Sequence, residues 1–518
     1  MFAFLQYNKQ VVTLNTKLSK IFSRQNISRA IVLTVVVLVL PMILGLLLLA
    51  LLYKVMCAMI IIRKDKNFVG FLDSFDVFWS LEDDTSKSII NVLGIIESNS
   101  SQAVAKDIKK KLEQAILNDT TGKIFYRRNE KYGFYYWSRH NFVDMDQYVE
   151  VIELPNKCDD NLNVIDLENL MTDLQEDSLP YEDEGLFKIL ITRQRISNHN
   201  NLKGNYGIIF RIHHSVGDGT ALIEFLCQTL ADETNDCLVN MFSMPEAYRN
   251  PSSPKNLVDM MQTLLEIPIC FVDGILRKPD ENPLHSKSLN GRTVFKWTES
   301  DENLLTMVKE IKENVARTCF SEILIAALSR GLRNSFQQTE GKVPEDVAVV
   351  LPVRFPKTST IGDDPILKND FSVTILDVPV EDKDNLYEIK ERCNLLRRSA
   401  DPLTNYYFLK LICSVFPASI LQPMLYSRQA TMVLSNLPGP PRLTICGGNV
   451  LQSLVFFVPH KGTTGLGVTA LCYGGVLRFA ASADQALIST SDRLSPILDG
   501  MVEEIRRLHT KYANKRHI

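Results

Sequence analysis

Apolar residues fall along this chain in two ways, one continuous and one periodic. The continuous block runs from Ala30 to Tyr53, AIVLTVVVLVLPMILGLLLLALLY, without a charge. At about 1.5 Å per residue, 24 residues reach about 36 Å, enough for a bilayer core of about 30 Å. The block predicts a transmembrane helix. A soluble helix of this length would keep a polar face. A cleaved signal peptide would be shorter, start earlier and end on a small-x-small site. Pro41 and Gly45 admit two shapes for residues 30–62, a kinked span or the tip of a re-entrant hairpin. Lys17, Lys20, Arg24 and Arg29 precede the block, and Lys54, Arg63, Lys64 and Lys66 follow it, so charge sets no orientation. Val11, Leu14, Leu18, Ile21 and Phe22 recur at helical spacing, so residues 1–29 read as an amphipathic segment beside the membrane.

From Asn67 onward the pattern is periodic and alternates between the two repeats. Residues 88–96, 133–137, 147–154 and 186–192 predict strands, and Val104, Ile108, Leu112 and Ile116 line one face of a helix over 103–117. The stretch 237–291 carries Pro245, Pro251, Pro254, Pro268, Pro279 and Pro283 around one short helix, 256–265, and reads as a crossover linker. The second half repeats the first in style. Strands are expected at 292–297, 346–351, 371–378, 430–434, 454–458 and 465–473. Helices are expected at 302–313, at 321–333 with Ser321 as N-cap, and at 491–508. The expected organisation is an N-terminal domain at 67–236, the linker at 237–291 and a C-terminal domain at 292–518.

The sharpest local pattern lies at 206–230, YGIIFRIHHSVGDGTALIEFLCQTL. Tyr206, Ile208, Phe210 and Ile212 alternate as in a half-buried strand, and Leu222, Phe225, Leu226 and Leu230 share a helix face. Between them stand His213 and His214, then Asp218 and Gly219. Adjacent strand residues point to opposite faces, which argues against one metal ion held by both histidines. Asp218 can equally cap the helix, and Gly219 can supply an unusual φ.

Composition narrows the field. The chain has 518 residues, 45% of them hydrophobic and 23% charged, with 57 Lys+Arg against 60 Asp+Glu. This excludes disorder and a many-span membrane protein, and the near-neutral balance argues against a nucleic-acid partner. The 10 cysteines are scattered without a CxxC pair and read as buried thiols of a reducing compartment. No GxSxG elbow is present. Gly465, Gly467 and Ala470 fit GxGxxA, but inside a strand, the wrong place for dinucleotide binding.

HHSVGDG resembles the HHxxxDG motif of acyl-CoA-dependent acyltransferases of the chloramphenicol-acetyltransferase fold. LDSFDVFWSLE at Leu72–Glu82, RTCFSEILIAALSRGLR at Arg317–Arg333, VLPVRFP at Val350–Pro356, Asn369 with Phe371, and SNLPGP at Ser435–Pro440 follow in the order of the wax ester synthase/diacylglycerol acyltransferases. The chain departs from that family at Gly185-Leu186-Phe187 (Pro-Leu-Trp in the family), at Ser321-Glu322 (Asn-Asp) and at Lys368 (Gly). The resemblance, over roughly 67–510, implies an α/β fold of two such domains with a tunnel between them. It implies fatty acyl transfer from acyl-CoA to a long-chain alcohol or diacylglycerol, with no resident cofactor or metal. His214 would be the general base, His213 a support of the turn, and Asp218 a structural residue bound to a basic partner. Gly219 would keep the channel open, and Ser435, Asn436 and Asn369 would face substrate. The N-terminal span suggests a eukaryotic, membrane-anchored member, in the endoplasmic reticulum ahead of the plasma membrane, with cytosolic catalytic domains. The sequons at Asn26, Asn99 and Asn118 would then stay bare, and a glycan at Asn99 or Asn118 would overturn that topology. Another acceptor (a sterol, a small alcohol or an amine) and a silent lipid-binding protein are the alternatives.

Overall fold

A computed structural model describes residues 24–118, 121–139, 142–154, 161–175, 177, 179, 185–196, 204–232, 257–285, 287–299, 301–338, 342–354, 367–380 and 385–513. The amphipathic pattern at 11–22 and the first part of the expected linker lie outside them.

The apolar block forms one unbroken helix, α1 (Arg24–Lys64), with Pro41 inside it. The helix makes no turn at Pro41 or Gly45. A proline forfeits one N–H, and the remaining hydrogen bonds carry the helix past it.

In chain order there follow β1 (Phe68–Phe71), α2 (Ser74–Ser80), β2 (Ile89–Ser98), α3 (Ser101–Leu117), β3 (Arg127–Lys131), β4 (Phe134–Ser138), β5 (Val149–Ile152), α4 (Val164–Leu174), β6 (Phe187–Thr192), β7 (Gly204–His213) and α5 (Gly219–Thr229). A helix, α6 (Leu257–Leu276), leads to β8 (Thr293–Trp297), α7 (Leu304–Asn314), α8 (Phe320–Gln338), β9 (Asp346–Val353), β10 (Ser372–Pro379), α9 (Leu386–Arg398), α10 (Asp401–Val415), α11 (Ala418–Met424), β11 (Met432–Pro438), β12 (Asn449–Phe457), β13 (Leu466–Tyr473), β14 (Val476–Asp484) and α12 (Ser495–Ala513).

One eight-stranded sheet runs from Thr444–Ile445 through β12, β2, β7, β6 and β5, with Asn161–Leu162 and Arg195–Ile196 beside it. A six-stranded sheet has the order β8, β14, β13, β11, β9, β10, and a small sheet has the order β1, β4, β3. The two large sheets each carry their own apolar core. Val104, Ile108 and Leu112 of α3 are fully buried against the first sheet, as their spacing requires.

Four expectations are revised by tertiary packing. β7 is buried along its whole length, not half-buried. Its second face carries Ile209, which packs with Leu167 and Phe295, and Arg211, whose guanidinium donates to Asn91 Oδ1 (3.3 Å) and to the Asp177 carbonyl (2.8 Å). Paired in this way, a polar residue is tolerated inside. The helix in the linker is longer than the prolines suggest. It spans Leu257–Leu276 with Pro268 inside and packs between α1 and α10, with Phe271 against Phe408 at 4.8 Å between ring centroids. β12 belongs to the C-terminal half by sequence but pairs with β2 of the N-terminal half. Ser321 does not cap α8, which starts at Phe320; the Glu322 carboxylate instead accepts the Cys319 N–H (3.0 Å). The eight described cysteines, Cys57 to Cys472, are free thiols.

Candidate active site

The site forms where β7 ends and α5 begins. Asp218 is the N-cap of α5, its Oδ1 accepting the N–H of Thr220 (3.1 Å) and Ala221 (3.0 Å). Its Oδ2 accepts the Asp370 N–H (3.2 Å), tying the loop to the C-terminal half. No basic side chain pairs with it among the described residues, so the expected basic partner is replaced by three backbone donors.

The two histidine rings diverge. His213 is fully buried and fully engaged. The Ser215 N–H donates to its Nδ1 (3.1 Å), and its Nε2 lies 2.6 Å from Glu82 Oε1 and 3.1 Å from the Arg128 guanidinium. Burial and the adjacent Arg128 push this imidazole down to about 4, against the pull of Glu82. Burial alone would raise the Glu82 carboxyl, but the His213 hydrogen bond and Arg128 outweigh it and hold it below its ordinary value. The ring of His213 is held between Ser215 and Glu82.

His214 is half-buried, and its tautomer follows from Asn369. Asn369 Nδ2 donates to Asp76 Oδ1 (2.8 Å) and to the His214 carbonyl (2.7 Å). Its Oδ1 is therefore the acceptor facing His214 Nδ1 (3.1 Å), which must carry the ring proton. Nε2 is left with a free lone pair. Asp76, itself buried, is ion-paired with Lys123; burial still pushes its carboxyl up to about 6. Lys123, Asp76, Asn369 and His214 thus form one line of contacts that fixes the ring.

Trp79 of α2 stacks on the imidazole, with centroids 3.8 Å apart and planes 11° from parallel. Its indole N–H has no partner among the described residues. Lys461 donates to the carbonyls of Phe78 (3.1 Å) and Leu81, at the negative end of α2. Burial lowers its ammonium to about 8. Burial, with Lys461 adding to it, lowers His214 to about 4, although Asp218 and Asn369 pull upward.

Gly219 opens onto an apolar cavity of about 70 Å³, lined among others by Phe187, Phe210, Ile212, Leu226, Leu437 and Leu471. Its φ is not positive; a side chain here would instead force Leu437 to move, since its Cδ1 would lie 2.5 Å from an added Cβ. Ser435 and Asn436 are not in a loop. They lie in β11, in register with Thr469 and Ala470 of β13. No hydrogen bond joins either to His214 among the described residues, and Leu437 is the member of SNLPGP that reaches the motif. Lys368, in place of the family's glycine, contributes its carbonyl, which accepts the Asp218 N–H (3.3 Å). No group of three or more His, Cys, Asp or Glu able to hold a metal occurs among the described residues.

Solved structures share this fold. The wax ester synthase/diacylglycerol acyltransferase of Marinobacter aquaeolei VT8 superposes with a TM-score of 0.58 at 13% identity, over 85% of this chain and all of that one (100%). The trichothecene 15-O-acetyltransferase of Fusarium sporotrichioides gives 0.53 at 10% identity over 84% and 95%. A starter condensation domain of rhizomide synthetase in complex with C8-CoA gives 0.53 at 13% over 86% and 96%. A comparison with curated protein sequences gives no match. Residues 367–509 match the family model of the WS/DGAT C-terminal domain. That region of the chain is similar to the C-terminal domain of the WS/DGAT family.

The matched region begins two residues before Asn369. It therefore supplies the amide that orients His214, while the N-terminal half supplies the ring. The Ser321-Glu322 departure is spent elsewhere: Glu322 is buried in an ion pair with Arg397.

The two lowered imidazoles give a pH prediction with a definite sign. Ordinary His, at 6.5, takes up a proton in the unfolded chain at a pH where His213 and His214, at about 4, refuse it in the folded one. Their contribution to stability is therefore full above 6.5 and is lost as pH falls from 6.5 to 4. Melting temperature should drop across that window, and the drop should shrink in His213→Gln.

Proposed function

We propose that this protein transfers a fatty acyl group from acyl-CoA to the hydroxyl of a long-chain alcohol or diacylglycerol, making wax ester or triacylglycerol. One observation carries the reading: an imidazole held neutral, its Nδ1–H tied to Asn369 and its Nε2 lone pair free, on a loop whose Gly219 lines an apolar cavity.

His214 Nε2 takes the acceptor's hydroxyl proton as the oxygen attacks the thioester carbonyl. The C–O bond forms, the C–S bond breaks, and CoA leaves as a thiolate that the imidazolium reprotonates. No acyl-enzyme is needed. His213 and Glu82 brace the loop, Asp218 locks it to α5, and Trp79 gives the ring a flat wall. The cavity beyond Gly219 takes the acyl chain. Helix α1 anchors the protein in the membrane where its acceptors dissolve, with its body in the cytosol.

Membranes bearing the protein, given labelled palmitoyl-CoA with hexadecanol or with diacylglycerol, should form labelled ester. Ester with neither lipid, but with a sterol, small alcohol or amine, would move the assignment to that acceptor. Gly219→Val should narrow the cavity mouth at Leu437. Long-chain donors should then lose kcat/KM by on the order of 10–100-fold relative to acetyl-CoA. Equal losses for both would place the chain elsewhere.

A further inference from the structure

Helix α1 divides into a free part and a packed part. Ile31 to Leu52 is largely exposed, whereas Cys57 and Ile61 are buried against the body. The free part is 22 residues, or about 33 Å, the thickness of a bilayer core. The two parts meet at Tyr53 and Lys54, and both side chains are fastened to the body. Tyr53 Oη donates to the Tyr132 carbonyl (3.3 Å) and Lys54 Nζ to the Ser414 carbonyl (2.6 Å). The Ala418 N–H in turn donates to the Gly133 carbonyl (2.7 Å). The β3–β4 turn, the end of α10 and the start of α11 are therefore pinned at the level where α1 leaves the body.

At that level the surface is apolar. Tyr132, Tyr407 and Leu411 of α10, and Ile420 and Met424 of α11, are exposed, while Leu409, Ile412 and Cys413 of α10 face the core. A helix apolar on both faces is normally covered on both, and an exposed patch of this kind marks a contact surface. A Tyr and a Lys at the exit point are the residue types that sit at a membrane boundary.

We infer that this face, Tyr132 with the outer sides of α10 and α11, rests on the bilayer that α1 spans. The inference rests on the reading of α1 as a membrane span. It also brings the site to its acceptor. Tyr406, beside Tyr407, meets Phe75 at 5.2 Å between ring centroids; Phe75 meets Phe371 at 5.2 Å, and Phe371 flanks His214 at 6.1 Å. Tyr406 meets Tyr407 at 5.2 Å, so four ring contacts link the imidazole to the lipid face, a placement that suits an acceptor dissolved in the leaflet.

The test uses the full chain in phosphatidylcholine vesicles containing a phosphatidylcholine with a diazirine near the glycerol end of one acyl chain. After irradiation, labelled peptides are mapped. Label is expected over 31–52 and over 407–426. None is expected at Leu117, which is exposed on α3 but packs with β5, β6 and α5, away from α1. Leu411→Glu combined with Met424→Glu should abolish label over 407–426 and keep it over 31–52. Label over 31–52 with 407–426 no more labelled than Leu117 would overturn the docking face alone. No label over 31–52 would overturn the span, and the docking face with it.

Discussion

His214→Ala lowers ester formation by about 10²–10⁴-fold, while the protein stays folded. The ring is the one group in the loop with an unspent proton acceptor. His213 has both nitrogens engaged, and Asp218 spends its oxygens on backbone N–H groups. Removing the ring leaves Asn369 Oδ1 without its donor and exposes one face of Trp79, a cost of about 1–3 kcal/mol in a well-packed body. Steady-state kinetics with acyl-CoA and hexadecanol, beside thermal melts, separate the two effects. Unchanged kcat with a lowered melting temperature would make His214 a packing residue.

The second large effect is expected at Asn369. Asn369→Leu removes the acceptor that keeps the proton on Nδ1, so the ring is free to place it on Nε2 and lose its basic face toward the acceptor. A misplaced catalytic group costs about 10²-fold, and the loss should appear in kcat more than in KM. The pH profile supplies a signature that mere disruption would not give. The Asn369 hydrogen bond favours protonated His214, so its loss moves the acid limb of kcat/KM to lower pH, away from 6.5. Asp76→Ala acts one step further back. It leaves the part-buried Lys123 without its carboxylate, at a cost of up to about 3–5 kcal/mol, so its defect should be one of stability first. An Asn369→Leu protein with wild-type kcat would break the line from Asp76 to His214.

Much of this was legible from residue order. The HHxxxDG spacing placed two histidines at a strand end and an aspartate at a helix start, and His213, His214 and Asp218 stand there. The length of the apolar helix follows from an unbroken apolar run, and the face of α3 and the α/β character follow from periodicity, each a property local to its segment. What stayed hidden depends on contacts across the chain. Asn369 reads as a substrate ligand until its amide is seen between Asp76 and His214, 293 and 155 residues away. Trp79 sits in a quoted motif, yet nothing in LDSFDVFWSLE says that its ring lies on an imidazole. β12 pairs outside its own half because pairing is decided by which edge is open, not by strand propensity. SNLPGP looks like a turn by its Pro and Gly content, yet its first four residues are the end of a parallel strand.

The central claim is direct transfer by a neutral His214. One measurement meets it head on: labelled acyl-CoA incubated with the membrane-bound protein, with and without hexadecanol or diacylglycerol, for wild type and His214→Ala. Wild type should release labelled ester only when an acceptor is present and leave no label on the protein, and the variant should form almost none. Label covalently on the chain, or equal ester from both proteins, would contradict it.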